Sequence, residues 1–399
     1  MSNEKIEKTI ELYPSNWLYN AGVIGFLRVL EWGKRSQKFK VKSGFKIKDG
    51  KVRINKDIIG KSFELRTEFH REVLGDEKGG AVWGSKGKYP NYIQKNRREF
   101  FKNIFVPKLS TLERKGNCSF CDGYFLPLDK INFLKEEWEG DKESFESFME
   151  QREKFQAIHL SYLASSIGGM PNSFWDLNQS LPICHLCSYL VIFHHLAFTQ
   201  TSDGEIFINA PDFRVMWYLN KFVREVASKE TQAQKLFGLS LMQWAIRINQ
   251  MLGCWTMANI EVIRKYYIGK GQKRKTVIDH FDLPVGVIRI LMDPSVANIL
   301  TYLNLWPILE LVMKERFSEL LSAMYCAGKA MLMIENQGDI PDNHCITKYG
   351  GNKDNAWKMF QNLPYLFARI KEIIKESTMF KKEYESPYIV LSPRKGGCY

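Results

Sequence analysis

"NCSFCDGYF" occupies Asn117–Phe125 and "PICHLCSYL" occupies Pro182–Leu190, each holding a Cys-x-x-Cys pair, Cys118/Cys121 and Cys184/Cys187. Four thiolates presented by two tight turns match the four-cysteine pattern of structural zinc. Gly123 suits the first turn, because glycine tolerates the left-handed conformation. The second pair runs into "SYLVIFHHL", which places its sulfurs at a helix start, where the dipole favours thiolate. Residues 122–183 separate the pairs, far more than the roughly 15–20 of a compact ribbon. Loop closure costs only about 0.6 kcal/mol per doubling of length. Zinc binding in small fingers supplies on the order of 10–16 kcal/mol. The spacing is therefore compatible with one structural Zn2+ provided that 122–183 folds as an inserted subdomain. A redox reading needs a pair placed after a strand in a βαβ unit, and neither pair has that setting. His185 reads as a surface residue or an outer neighbour of the metal rather than a fifth ligand. Cys254, Cys326, Cys345 and Cys398 have no partner at such spacing and read as core or incidental thiols.

The composition fits an ordered chain. Of 399 residues, 45% are hydrophobic and 25% charged, which excludes intrinsic disorder. Fifty-seven Lys and Arg against 44 acids leave a net charge of +13. Such an excess favours polyanionic partners, nucleic acid or an anionic membrane surface. The start, "MSNEKIEKTIELYPSN", lacks a secretory h-region. No run of about 18 uninterrupted apolar residues reads as a membrane span; "SYLVIFHHLAF" is broken by His194 and His195. A cytoplasmic location is expected, where Cys-x-x-Cys points to metal or redox chemistry rather than disulfides.

The remaining patterns predict an α+β fold. "NWLYNAGVIGFLRVLEWGKR" has apolar residues at helical spacing, with Asn16 or Ser15 as N-cap. Gly22 and Gly25 are costly inside a helix, so this helix is expected to admit a neighbouring backbone at close range. In "FKVKSGFKIKDGKVRINKDI", Asp49-Gly50 signals a two-residue hairpin turn. It pairs Lys48 with Lys51, Ile47 with Val52, Lys46 with Arg53 and Phe45 with Ile54. One face is then apolar, and the other carries Lys46, Lys48, Lys51 and Arg53. Like charges directly opposite destabilise a hairpin. The face reads either as a phosphate contact or as a solvated edge. Residues 34–61 hold eleven Lys or Arg and two acids. A strand is expected near 204–211. Helical patterns are expected beyond about 211, including "SLMQWAIRINQMLGCWTMANIEVIRKYY". A basic loop, "GKGQKRKTV", carries Lys270, Lys273, Arg274 and Lys275. Helical stretches follow around 285–335 and 355–382. The expected organisation is a mixed α+β domain over 1–285, with its zinc-stabilised insertion, then a helical bundle over 286–399.

No catalytic constellation stands out. Asp279-His280 in "VIDHFDLP" resembles the start of an HNH metal motif, but the next histidine is His344. A loop with a helix-capping Asp is the simpler reading. His194 and His195 point in different directions on a helix and do not easily share an ion. Walker, Gly-x-Ser-x-Gly and His-Glu-x-x-His motifs are missing.

Taken together, "NWLYNAGVIGFLRVLE", "CSFC" with its following Gly, and "CHLC" after a long insertion resemble the CXXC-CXXC family of CRISPR-associated proteins, large subunits of type I-B Cascade effectors. The resemblance rests on residues 16–31 and 118–195. It implies a non-catalytic subunit that acts with other Cascade subunits and a guide crRNA. Such a subunit recognises the protospacer-adjacent motif (PAM) in double-stranded DNA, promotes R-loop formation and recruits a separate helicase–nuclease. With no stretch that reads as a membrane span, no membrane partner is expected. Two other readings stand beside it: a stand-alone zinc-containing nuclease, and a DNA-binding regulator.

Overall fold

Helix α1, Trp17–Arg35, begins at Asn16, whose side chain accepts a hydrogen bond from the Tyr19 amide at 3.0 Å. Most of its circumference is enclosed, including Leu18, Tyr19, Val23, Ile24, Phe26 and Leu27. That is more than the single apolar stripe of the sequence requires. Its partner is the 3-10 turn Val191–Leu196, just beyond the second cysteine pair. A Cβ on Gly22 would lie 2.7 Å from the Leu190 carbonyl oxygen, and one on Gly25 only 2.1 Å from that of Phe193. The two glycines let one backbone lie directly on the other, as their cost in a helix led us to expect.

The computed structural model describes residues 9–36, 44–76, 78, 93–156, 180–227, 232–248, 256–257, 259–268 and 275–384. The chain divides into two units, Met1–Ala233 with Asn259–Asp282, and Gln234–Ala258 with Leu283–Tyr399. The described residues 234–248 and 256–257 thus group with the C-terminal part.

In the first unit, strands β1 (Thr9–Leu12), β2 (Phe45–Lys48) and β3 (Lys51–Asn55) form an antiparallel sheet in the order β1-β3-β2. The β2–β3 register is the one the Asp49-Gly50 turn predicts, and both turn residues have positive φ, as a type I′ turn needs. Helix α2, Lys56–Leu74, follows and ends at Gly75 in the left-handed region. A run of helical turns spans 95–111. Strands β4 (Glu113–Arg114) and β5 (Tyr124–Phe125) pair around the first cysteine turn. Between the cysteine pairs lie α3 (Leu128–Glu136), α4 (Lys142–Glu153), β6 (Lys154–Gln156) and β7 (Ser180–Pro182). This segment stays within the first unit: Phe148 of α4 meets the rings of Phe100 and Phe105 edge-on. Helix α5, His185–Leu190, carries the second pair.

A second antiparallel sheet is formed by β8 (Thr199–Thr201), β9 (Gly204–Asn209), β10 (Glu261–Ile268) and β11 (Lys275–Phe281), which follow one another across it. Helix α6, Phe213–Val226, packs on β9. Two expectations need correcting here. "EVIRKYYI" is a strand, not the end of a helix, because β9 and β11 flank it and satisfy its backbone on both sides. Asp279 and His280 lie in β11 rather than in a helix-capping loop; Asp279 accepts from Arg264 at 2.9 Å, and His280 Nδ1 lies 3.1 Å from Glu261.

The second unit is helical among its described residues: α7 (Ala233–Ile248, from Gln234 onward), α8 (Val285–Leu291), α9 (Pro294–Leu303), α10 (Trp306–Met313), α11 (Phe317–Gln337) and α12 (Lys353–Tyr384). Asp293 caps α9 and takes a two-pronged bond from Arg369 of α12 at 2.8 and 3.2 Å. Cys326 of α11 is bonded to Cys345. These two are therefore not incidental thiols: their Cα atoms stand 5.6 Å apart across a 19-residue separation, within disulfide reach. Helix α11 is long and apolar enough to cross a membrane, although Glu319, Lys329 and Glu335 interrupt it, and it packs along α12. The fold is mixed α+β, with small antiparallel sheets and a helical C-terminal part.

Candidate metal centre and nucleic-acid interface

Gly116, Asn117 and Gly123 all have positive φ, which folds residues 116–123 back so that the Lys115 amide donates to the Gly123 carbonyl at 2.8 Å. A Cβ on Gly123 would lie 2.3 Å from the Gly116 carbonyl oxygen, so glycine is required twice over, by φ and by space. The second pair is built by a helix start. Cys184 is the N-cap of α5, and its sulfur accepts from the Cys187 amide at 3.4 Å.

The two pairs meet. All four sulfurs lie within 4.8 Å of one another, with Cys121 at 3.4 Å from Cys184 and 3.2 Å from Cys187. These separations are too long for disulfides, near 2.05 Å. They approach the roughly 3.8 Å edge of a thiolate tetrahedron with Zn–S near 2.3 Å. Backbone amides point at the sulfurs: Phe120 and Cys184 donate to Cys118, and Gly123 to Cys121, at 3.2–3.4 Å. Such donors stabilise thiolate charge. Burial pushes the Cys184 and Cys187 thiols well up, with the neighbouring sulfurs adding to it. Cys118, only half-buried, is drawn down by hydrogen bonds from the other thiols. Gathering four such groups in one place suits a cation that holds them all as thiolates. The donor set can hold a metal ion.

The surroundings tie this cluster to α1. Tyr19 is fully buried beside it, its hydroxyl pushed well up first by burial and then by the cysteine charges, and its ring lies 6.4 Å from that of Phe120. His185 is not a surface residue. It is 0% exposed, its Nδ1 accepting from the Leu126 amide at 2.9 Å and its Nε2 lying 3.0 Å from Glu153. It bridges β5 and α4 and contributes no ligand. His194 and His195 diverge as expected: His194 Nδ1 meets the Val191 carbonyl, and His195 Nε2 meets His70 Nε2 at 2.9 Å. The His70 contact joins residues 125 apart, which no local spacing signals.

Among the basic residues, Lys46, Lys48 and Arg53 are exposed and Lys51 is half-exposed, all on the solvent face of the β1-β3-β2 sheet. That face is not purely basic. Glu11 of β1 sits opposite Arg53 and accepts from its Nε at 2.5 Å, and Lys51 lies over the Tyr13 ring at 4.6 Å. The third strand thus relieves part of the like-charge crowding. Lys270, Lys273 and Arg274 lie outside the described residues, and Lys275 begins β11.

Residues 142–199 match the family model described as CRISPR-associated protein (Cas_CXXC_CXXC). The match supports a CRISPR-associated protein of this family. It covers α4, the second cysteine pair and the turn that packs on α1. No curated protein and no solved structure matches the chain.

Proposed function

We propose that this chain is the non-catalytic large subunit of a type I-B CRISPR effector (Cascade), recognising the PAM of duplex DNA, promoting R-loop formation and recruiting a helicase–nuclease. The family-model match over 142–199 carries the reading. The cysteine cluster joined to α1 supports it, since it unites the motifs on which the resemblance rests. Cys118, Cys121, Cys184 and Cys187 would hold Zn2+. The ion would supply a structural cross-link, because four protein sulfurs leave no position for substrate.

In this reading the chain supplies charge and position. Lys46, Lys48 and Lys51, held on a rigid hairpin, meet phosphates and set register, which requires no base contact. The Lys270–Lys275 segment adds positive charge. Base pairing with the guide reads most of the sequence, leaving the protein a short motif. Partners are then other Cascade subunits, the guide RNA and target duplex DNA.

The test is to purify the tagged protein gently from its native host and sequence the RNA that accompanies it. Short RNAs of uniform length with shared repeat-derived ends are expected. Heterogeneous RNA, or none, from an intact preparation would overturn the assignment and leave a stand-alone DNA-binding protein or nuclease.

A further inference from the structure

The bond between Cys326 and Cys345 joins two sulfurs in unlike surroundings. Cys326 sits on the enclosed side of α11, 6% exposed, among the fully buried Ala323, Ala327 and Ala330. Cys345 is exposed and opens the 3-10 turn Cys345–Tyr349. That turn has its own supports besides the bond. Ile346 and Tyr349 are buried. His344 Nδ1 accepts from the Ile346 amide at 3.3 Å, and the Thr347 amide and hydroxyl both donate to the His344 carbonyl, at 3.0 and 2.9 Å. The Gly351 amide donates to the Ile346 carbonyl at 3.0 Å. The loop closed by the two cysteines runs through the second half of α11 and the largely exposed residues 335–343.

We propose that Cys326 and Cys345 form a reversible redox site for small thiols and disulfides of the glutathione class, with Cys345 as the exchange residue and Cys326 as the resolving one. A disulfide with one sulfur open to solvent exchanges with external thiols, whereas an enclosed one resists them. On oxidation the Cys345 thiolate attacks one sulfur of glutathione disulfide. The S–S bond of that molecule breaks, and one glutathione leaves as a thiolate and takes up the proton that Cys345 gave up. The Cys326 thiolate then attacks the Cys345 sulfur of the mixed disulfide, closes the Cys326–Cys345 bond and expels the second glutathione. The two cysteine thiols lose two electrons and two protons in all, and the glutathione disulfide gains both. Reduction runs the same steps backwards, with a glutathione thiolate attacking Cys345 and Cys326 leaving. Cys345 is the entry point because access decides which sulfur is attacked. The Cα atoms, 5.6 Å apart, keep Cys326 within reach of the mixed disulfide without backbone movement. Opening the bond releases 335–343, while buried Ile346 and Tyr349 hold the turn in place, so the fold persists in both states. The site belongs to the helical unit and does not rest on the function proposed above.

Peptide-level mass spectrometry of the full chain, incubated with glutathione mixtures and digested without reduction, tests this directly. In the wild type the Cys326–Cys345 linkage should open and close as the ratio of reduced to oxidised glutathione is varied. Cys326→Ser, treated with glutathione disulfide, should collect a glutathione adduct on Cys345. Cys345→Ser should collect at least about tenfold less on Cys326 in the same time, because that sulfur is enclosed. Matched melting curves verify that both variants fold. A brief pulse of iodoacetamide on the reduced wild type needs no variant and should label Cys345 ahead of Cys326. Equal labelling of the two, an adduct on Cys326 rather than Cys345 in the folded variants, or a linkage that stays closed or stays open at every glutathione ratio overturns the proposal.

Discussion

Gly25 shows how one missing methyl group determines a packing arrangement. With the Phe193 carbonyl oxygen 2.1 Å from where its Cβ would stand, Gly25→Ala must push α1 off the turn that follows the second cysteine pair. Overpacking of this kind costs typically about 1–3 kcal/mol, and a clash with backbone rather than a flexible side chain places it at the upper end. Urea denaturation should show a lowered midpoint with an unchanged slope. His195 offers a second prediction at this scale. Burial, with Arg66 and the neighbouring histidines adding to it, holds its pKa well below the ordinary 6.5. Above pH 6.5 the imidazole is neutral in both folded and unfolded chains, and its contribution to stability is constant. Below that value the unfolded chain takes up a proton that the folded chain refuses, so stability falls as the pH drops. One such proton is worth up to about 1.4 kcal/mol per pH unit. Unfolding free energies of the wild type and His195→Gln, measured from about pH 7.5 to about pH 5.5, should differ by a shallower slope in the variant.

At the scale of elements, the hairpin separates a charge that holds the sheet from charges exposed to solvent. Arg53 is engaged by Glu11, whereas Lys46 and Lys48 project from the outer strand. Lys46→Ala and Lys48→Ala should weaken DNA binding across sequences and reduce the salt slope by about one unit for each phosphate no longer neutralised. Glu11→Gln should act in the opposite sense by releasing Arg53. Fluorescence anisotropy with labelled duplex across a NaCl series measures both, and unchanged slopes in all three variants would remove the hairpin from the DNA footprint. In the helical unit the Cys326–Cys345 bond ties α11 to the 3-10 turn Cys345–Tyr349. Closing a loop of this size is worth about 3 kcal/mol. Cys345→Ser should lower stability by about that amount in oxidising buffer and by much less in the presence of dithiothreitol.

For the molecule as a whole, the four-cysteine cluster lies in one unit and the disulfide in the other. Chelation, or Cys184→Ser, should therefore lower the melting transition of the first unit by far more than that of the second. Metal analysis of the wild type should give about one zinc per chain, and a metal-free chain with an unaltered first transition would sink the zinc assignment. With two compact units, each change in unfolding free energy is read from the transition of the unit that carries the substitution.

The sequence by itself determined what short range can encode. Asp49-Gly50 specified its hairpin residue by residue, because a type I′ turn sets register. Ser15 or Asn16 marked the start of α1, and the structure selects Asn16; Gly22 and Gly25 announced a close neighbour, and each cysteine pair announced its own turn. Tertiary structure decided which distant pieces meet. Cys121 faces Cys184 across 63 residues; the motif suggested this meeting but could not place it. His70 reaching His195 and Cys326 bonding Cys345 left no local signal at all. The strand Glu261–Ile268 was misread for the same reason. Its apolar residues fit a helix as readily as a strand, and only the strands on both sides of it decide between them. Local spacing constrains dihedral angles and caps; partners far along the chain are selected by burial and by the need to pair every enclosed backbone group.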